Sequence, residues 1–210
     1  MKSNSPPPDG PIRILAVDDV EAKRYAWERI LTRAGFKVSI ASTGEEALAR
    51  VKEMPDLVIL DVRLPDIGGL EVCRRIKDEP TTASIPVLHI SASLIAPEDR
   101  TLALAGGADG YLSEPVDPEE LVATVNALLR MRRAEELARK AAAEWQTTFD
   151  AIQDGIAVVD VRGRIIRCNV GFAGMAGKSS AELLSENFRR VLVRDLKCGG
   201  EAAAAGFPAW

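Results

Sequence analysis

Ile12-Arg13-Ile14-Leu15-Ala16-Val17 runs directly into Asp18-Asp19, and Leu57-Val58-Ile59-Leu60 runs directly into Asp61. Each run is short, rich in β-branched residues and bounded by polar or turn-forming residues. That is how a strand buried on both faces of a parallel sheet reads. In an open α/β sheet the C-terminal strand ends face the ligand crevice, so the three carboxylates are expected to meet there. Hard oxygen ligands of this kind suit Mg²⁺, which keeps several waters and takes a phosphate as a further partner. A nucleophilic carboxylate beside such an ion makes an acyl phosphate. The pattern points to phosphoryl chemistry.

Outward from these runs, strand and helix patterns alternate. Strands are expected at 12–17, 37–41, 57–60, 86–90 and 109–112, and helices at 20–34, 43–53, 68–78, 97–105 and from 118 onward. Repeated βα units imply a five-stranded parallel sheet with helices on both faces and right-handed crossovers, a doubly wound α/β, flavodoxin-like architecture. Gly35 after Arg33-Ala34 reads as a helix stop, and Thr43 with Glu46 as a capping box. Asp117 with Pro118 reads as the N-cap and first residue of the last helix.

That helix is expected to run on. Leu121, Val125, Leu128, Leu129, Leu137, Ala141, Trp145 and Phe149 keep a three-to-four spacing, with no proline or glycine until Gly155. A helix of this length reaches past one domain and usually pairs with a partner. Its weakly apolar middle, Arg130-Met131-Arg132-Arg133-Ala134-Glu135-Glu136, marks it as a signalling helix with a solvated basic face rather than a strong coiled coil. Beyond Gly155 the period changes. Ile156–Asp160 and Arg164–Cys168 read as strands around the turn Val161-Arg162-Gly163, followed by helices from Asn169 and from Ser180.

The 210 residues suit one to two domains, and a hydrophobic fraction of 47% supports a real core. No window approaches the roughly 18 apolar residues of a membrane span. Residues 1–10, with Pro6-Pro7-Pro8, read as a disordered tail rather than a signal peptide, and 194–210 are left unassigned. Cys73, Cys168 and Cys198 are odd in number and widely spaced, which fits reduced thiols and a cytoplasmic location. Residues 11–130 carry 14 Lys/Arg and 20 Asp/Glu, and residues 131–210 carry 12 and 10. Neither half is basic enough to imply nucleic-acid binding.

Residues 11–130 resemble the receiver domain of two-component response regulators. Asp18 and Asp19 look like its metal-binding acidic pair, and Asp61, in Leu60-Asp61-Val62-Arg63-Leu64-Pro65-Asp66-Ile67-Gly68-Gly69, like its phospho-acceptor. Ser91 matches the hydroxyl that senses the phosphoryl group, and Tyr111 the aromatic that changes rotamer with it. Glu114-Pro115 matches the final Lys-Pro motif, except that the lysine is absent. Residues 131–148 look like a signalling helix, and 149–193 resemble part of a PAS domain, with Phe149–Ile156 as its opening helix and first strand and Asn169 opening the next helix. The segment contains no histidine, which excludes a histidine-ligated haem. The arrangement is similar to that of receiver-headed or hybrid sensor histidine kinases.

The resemblance implies that a histidine kinase or phosphotransfer protein offers phosphohistidine and Asp61 attacks in line. Mg²⁺ would be held by Asp19, Asp61 and the Arg63 carbonyl, with Asp18 partly through water. Ser91 would donate to the phosphoryl group, and Tyr111 would turn inward. The face formed by the fourth helix, fifth strand and fifth helix would then change shape. A homodimer through the long helix is expected. Glu114 complicates this, because two like charges about 4 Å apart repel by roughly 1 kcal/mol in water and roughly 4 at an effective dielectric near 20. Either Glu114 turns to solvent and leaves the work to Mg²⁺, or Arg63 lies over the phosphoryl group and pairs with Glu114. The alternative function is a phosphorylation-silent pseudo-receiver that serves as a dimerisation or docking module. No histidine-kinase dimerisation helix or ATP-binding glycine motif is legible, so the chain is not expected to be an enzyme. His89, inside an apolar strand, reads as a core residue.

Overall fold

The computed structural model describes residues 10–92 and 106–194. They separate into two compact units on either side of the Glu136–Leu137 bond. The first holds five strands, β1 (Arg13–Val17), β2 (Lys37–Ala41), β3 (Leu57–Asp61), β4 (Val87–Ser91) and β5 (Gly110–Ser113). All pair in parallel, in the order β2-β1-β3-β4-β5. The doubly wound reading of the sequence therefore holds. Strand limits fall within about a residue of the expected ones, since an apolar run closed by a carboxylate or a turn defines its own ends. The helix expected over 97–105 and the tail segments 1–9 and 195–210 lie outside the described residues.

Alternation along the strands builds two apolar layers. Ile14, Ala16, Leu57, Ile59, Leu88 and Ile90 face Trp27 and Leu31 of α1 (Glu21–Arg33) and Leu121, Val125 and Leu128 of α4 (Pro118–Ala151). Leu15, Val17, Val58, Leu60 and Val87 face Ala47 and Val51 of α2 (Gly44–Val51) and Val72, Cys73 and Ile76 of α3 (Gly69–Asp78). Strands covered on both sides must be apolar at every position, hence the unbroken runs. His89 sits among them with no exposure, its Nδ1 3.1 Å from the Leu60 carbonyl oxygen, and burial lowers its pKa, which favours the neutral ring.

The caps follow the sequence with one difference. Gly35 adopts φ +92° after α1, the left-handed stop that glycine permits. The Asp117 carboxylate accepts from the Glu119 and Glu120 N–H groups at the start of α4. Thr43 accepts from the Glu46 N–H at 3.1 Å, but the Glu46 carboxylate takes the Ser42 N–H (2.8 Å) rather than that of Thr43. The reciprocal half of the expected capping box is thus shifted by one residue. Arg50, one turn on, holds the same carboxylate.

Helix α4 is 34 residues long. Leu121, Val125 and Leu128 are buried in the first unit and Phe149 in the second, whereas Met131, Leu137 and Trp145 are exposed. In the second unit β6 (Ala157–Val159) and β7 (Ile165–Cys168) form an antiparallel pair, followed by α5 (Val170–Ala176), α6 (Ser180–Leu183) and α7 (Phe188–Arg194). Helix α7 was not expected from the sequence. Its seven residues are too short for a clear period, and Val191 is the residue it buries. Asn169 organises this unit. Fully buried, it accepts from the Ile156 and Phe172 N–H groups (2.8 and 2.9 Å) and donates to the carbonyls of Phe149, Ile152 and Asp154.

Two substitutions test these restraints. A β-carbon on Gly69 would overlap the Asp61 carbonyl oxygen and lie 3.0 Å from Val62 Cα, both backbone atoms. Gly69→Ala is expected to lower stability by roughly 1–3 kcal/mol, read as a fall in the urea midpoint. Asn169→Ala orphans two N–H groups and three carbonyls, and is expected to cost about 3 kcal/mol or more in the second unit. Amide exchange should then accelerate across residues 149–191 while the amides of β1 and β3 keep their protection.

Candidate functional site

Four chain segments reach the C-terminal edge of the first sheet. Residues 18–19 follow β1, Asp61 ends β3, Ser91 ends β4 and Glu114 follows β5. Val17 pairs with Leu60, so the residues just after them, Asp18 and Asp61, are neighbours by register. Ser91 pairs with Ser113, which brings Glu114 to the same edge, and the Glu114 N–H donates to the Ser91 carbonyl.

The loops that carry these groups are tied down locally. Asp18 Oδ1 accepts from the Val20 N–H (2.7 Å), a turn that launches α1. The Arg24 guanidinium, one helical turn on, donates to the Asp18 and Asp19 carbonyls at 2.6 and 2.8 Å. Asp61 Oδ1 accepts from the Val62 N–H at 2.7 Å. Further along the same loop, Asp66 accepts from the Gly44 and Glu45 N–H groups and caps α2. Those bonds hold its carboxyl at about 2.

Asp18, Asp19 and Asp61 each offer a carboxylate oxygen, and these lie within 4.8 Å of one another. Asp18 has no exposure and Asp61 is 6% exposed, whereas Asp19 is open to solvent. Burial pushes the Asp18 carboxyl up to about 6 against the pull of its Val20 bond and of Lys23, with Asp61 and Asp19 adding repulsion. Burial raises Asp61 as well, partly offset by the Val62 N–H and the Lys23 charge. Asp18 Oδ2 is buried with no hydrogen-bond partner. An anionic oxygen left so, next to two more carboxylates, is costly unless a cation completes it. The donor set is all oxygen and half-open to water, so it fits a hard divalent cation such as Mg²⁺.

Sequence reasoning missed Lys23. On the first turn of α1, its Nζ lies 2.8 Å from Glu114 Oε2 and 3.5 Å from Asp18 Oδ2. Glu114 is thus neither turned to solvent, its side chain being 16% exposed, nor paired with Arg63, which is exposed. Burial pulls the Lys23 ammonium down, but the Glu114 bond and the Asp18 charge override it, so its pKa is raised. The signal was available in part, because a helix that begins just after Asp19 must return position 23 toward the strand end. Tyr111 donates its hydroxyl to the Ser91 carbonyl (3.0 Å), and Ser91 is buried. The Glu114–Pro115 bond is cis.

This geometry can be set beside known proteins. The family model for the response regulator receiver domain matches residues 14–126, and that for a PAS domain matches residues 143–205. The response regulator MprA of Mycobacterium leprae (strain TN) is 37% identical over 187 residues, covering 87% of this chain and 76% of MprA. The response regulator PleD of Caulobacter vibrioides (strain NA1000 / CB15N) is 43% identical over 121 residues, 57% of this chain, which spans only 26% of PleD. The crystal structure of a CheY-like response regulator receiver domain protein from Methanospirillum hungatei JF-1 superposes with a TM-score of 0.56 at 28% identity. It covers 60% of this chain and 99% of its own. With the sheet order, the acidic edge and the family match in agreement, the chain belongs to the response regulator receiver family and carries a PAS-type segment after its receiver domain.

Proposed function

We propose that the chain is a phosphorelay module in which Asp61 accepts a phosphoryl group from a histidine kinase or phosphotransfer protein. The observation that carries this reading is the buried Asp18–Asp61 pair, with an Asp18 oxygen that accepts no hydrogen bond, at the C-terminal strand edge. Asp19, Asp61 and the Arg63 carbonyl would hold Mg²⁺, with Asp18 partly through water. Bound there, Mg²⁺ would offset the negative charge that otherwise keeps an anionic donor from a carboxylate. The Asp61 oxygen then bonds to phosphorus as the bond from phosphorus to the donor breaks, the donor leaving with the electron pair. Ser91 and Tyr111 read the new group, since both already meet at the end of β4.

The reading extends along α4. The receiver is taken as 11–130, the signalling helix as 131–148 and the PAS-like part as 149–193, with 1–10 and 194–210 flanking them. A 34-residue helix whose Leu137 and Trp145 lie exposed supports a homodimer through that helix. It would relay the state of Asp61 to the PAS-type segment. Among the described residues no helix is long and apolar enough to cross a membrane. A cytoplasmic protein that contacts neither membrane nor nucleic acid and has no kinase catalysis of its own fits this reading. The rival, a phosphorylation-silent pseudo-receiver used for docking, is favoured by one observation, the fourth carboxylate Glu114 at the site.

Acetyl phosphate with Mg²⁺, followed by intact mass, separates the two. A gain of one phosphoryl group that Asp61→Asn abolishes is expected, and no gain by a folded chain would favour the silent scaffold. The pH dependence gives a second check. A carboxyl raised from 3.8 to about 6 binds its proton more tightly folded than unfolded. Its contribution to metal-free stability is therefore present at low pH and fades as pH rises through about 6. Metal needs the carboxylate, so thermal stabilisation by Mg²⁺ should grow between about pH 5 and about pH 7.5. A shift that stays flat over that range would remove Asp18 from the metal site.

A further inference from the structure

We infer that Lys23 supplies the cation that pairs with the phosphoryl group on Asp61, and that Glu114 is the positioning residue that holds it there. The inference rests on the reading of Asp61 as a phosphoryl acceptor. Phosphorylation replaces a singly charged carboxylate by an acyl phosphate of nearly two negative charges, beside Asp18, Asp19 and Glu114. Fixed positive groups aimed at the developing charge are what such a transfer requires of a protein.

Lys23 meets that requirement by position. Its Nζ spans the two sides of the site, 2.8 Å from Glu114 Oε2 after β5 and 3.5 Å from Asp18 Oδ2 after β1. An ammonium has three N–H donors; Glu114 takes one of them, and the longer Asp18 contact is an ion pair. Its charge also acts on Asp61. The side chain is 33% exposed, so it is partly withdrawn from water yet open to an incoming group. Among the described residues, two further cations near the site are placed differently. The Arg24 guanidinium is committed to the Asp18 and Asp19 carbonyls, and Arg63 is exposed.

The same geometry explains the tolerance for Glu114. Alone, a carboxylate there would repel the phosphoryl oxygens. Bonded to Lys23, it fixes the ammonium of a flexible side chain over the site and lowers the ordering cost of the transfer. Lys23 touches the reacting group and is catalytic in that sense, whereas Glu114 acts through it.

The test uses the full chain. With acetyl phosphate and Mg²⁺, an Asp61 oxygen bonds to phosphorus, the bond from phosphorus to the acetyl oxygen breaks, and acetate leaves with the electron pair. Lys23→Met should slow phosphoryl gain, followed by intact mass, at least about tenfold. Binding of Mn²⁺, followed by loss of the free-ion EPR signal, should stay as tight or tighter, because a positive charge has left the cluster. Lys23→Met combined with Glu114→Lys, which moves the cation to the β5 side, should recover most of the rate. If Lys23→Met stays within about twofold of the parent while Asp61→Asn gains nothing, Lys23 is not the cation and the acceptor reading survives. Loss of Mn²⁺ binding together with phosphorylation, or no recovery in the double variant, assigns the effect to structure and overturns the inference. A folded parent chain that gains no phosphoryl group overturns the inference and the acceptor reading together.

Discussion

Asp18, Asp19, Asp61 and Glu114 come from three separate chain segments to one edge of the sheet, and a single ammonium, Lys23, is paired with two of them. Like charges gathered in a partly desolvated crevice repel by several kcal/mol per pair at short range unless they are countered. Burial already pushes Asp18 and Asp61 above the usual carboxyl range. The site is therefore built away from its electrostatic minimum. A group poised in that way responds strongly to any change of charge beside it, which is what a phosphorylation switch needs.

The rest of the first unit serves to hold that arrangement. Two apolar layers clamp β1 and β3 so that neither strand can slip, and a slip of one residue would turn Asp61 to the wrong face. Backbone anchors then fix the loops. Arg24 ties both carbonyls of the acidic pair, Asp66 ties the loop after β3 to α2, and Gly69 allows α3 to begin against the Asp61 carbonyl. Near Asp109 the same device recurs, with Lys77 bridging its carboxylate and the Ile85 carbonyl, well away from the chemistry. The carboxylates stand on a rigid frame, as a precise transfer geometry demands.

The second unit is organised on another principle. Its small core of Ile165, Cys168, Phe172, Leu183 and Val191 is supplemented by one buried amide, Asn169, whose five hydrogen bonds join the end of α4, β6 and α5. On the surface of this unit Trp145 stacks on Phe149 with centroids 4.6 Å apart, and the Arg167 guanidinium lies 3.9 Å above the indole. Gln146 bridges Arg167 and Asp150. These contacts fasten the C-terminal turns of α4 to β7, so that stretch of the helix is defined by its partners and not by helix propensity alone.

Much of this was legible in one dimension. Unbroken apolar runs closed by carboxylates identified β1 and β3, and Asp117-Pro118 marked the start of α4, because both signals are local and a strand or cap needs only its neighbours to form. Asn169 was found as a helix opener, while its five-bond role was not, since four of its partners lie before β6. Glu114 could be seen to carry the wrong charge for its position, but not what answers it. Lys23 and Glu114 lie far apart in the chain, and only the crossover order β2-β1-β3-β4-β5 with α1 packed beside it brings Nζ to the carboxylate. The sequence by itself determined the sheet, its polarity and the acidic edge. The tertiary structure alone decided which cation stands among those carboxylates, because a salt bridge depends on distance in space and not on spacing along the chain.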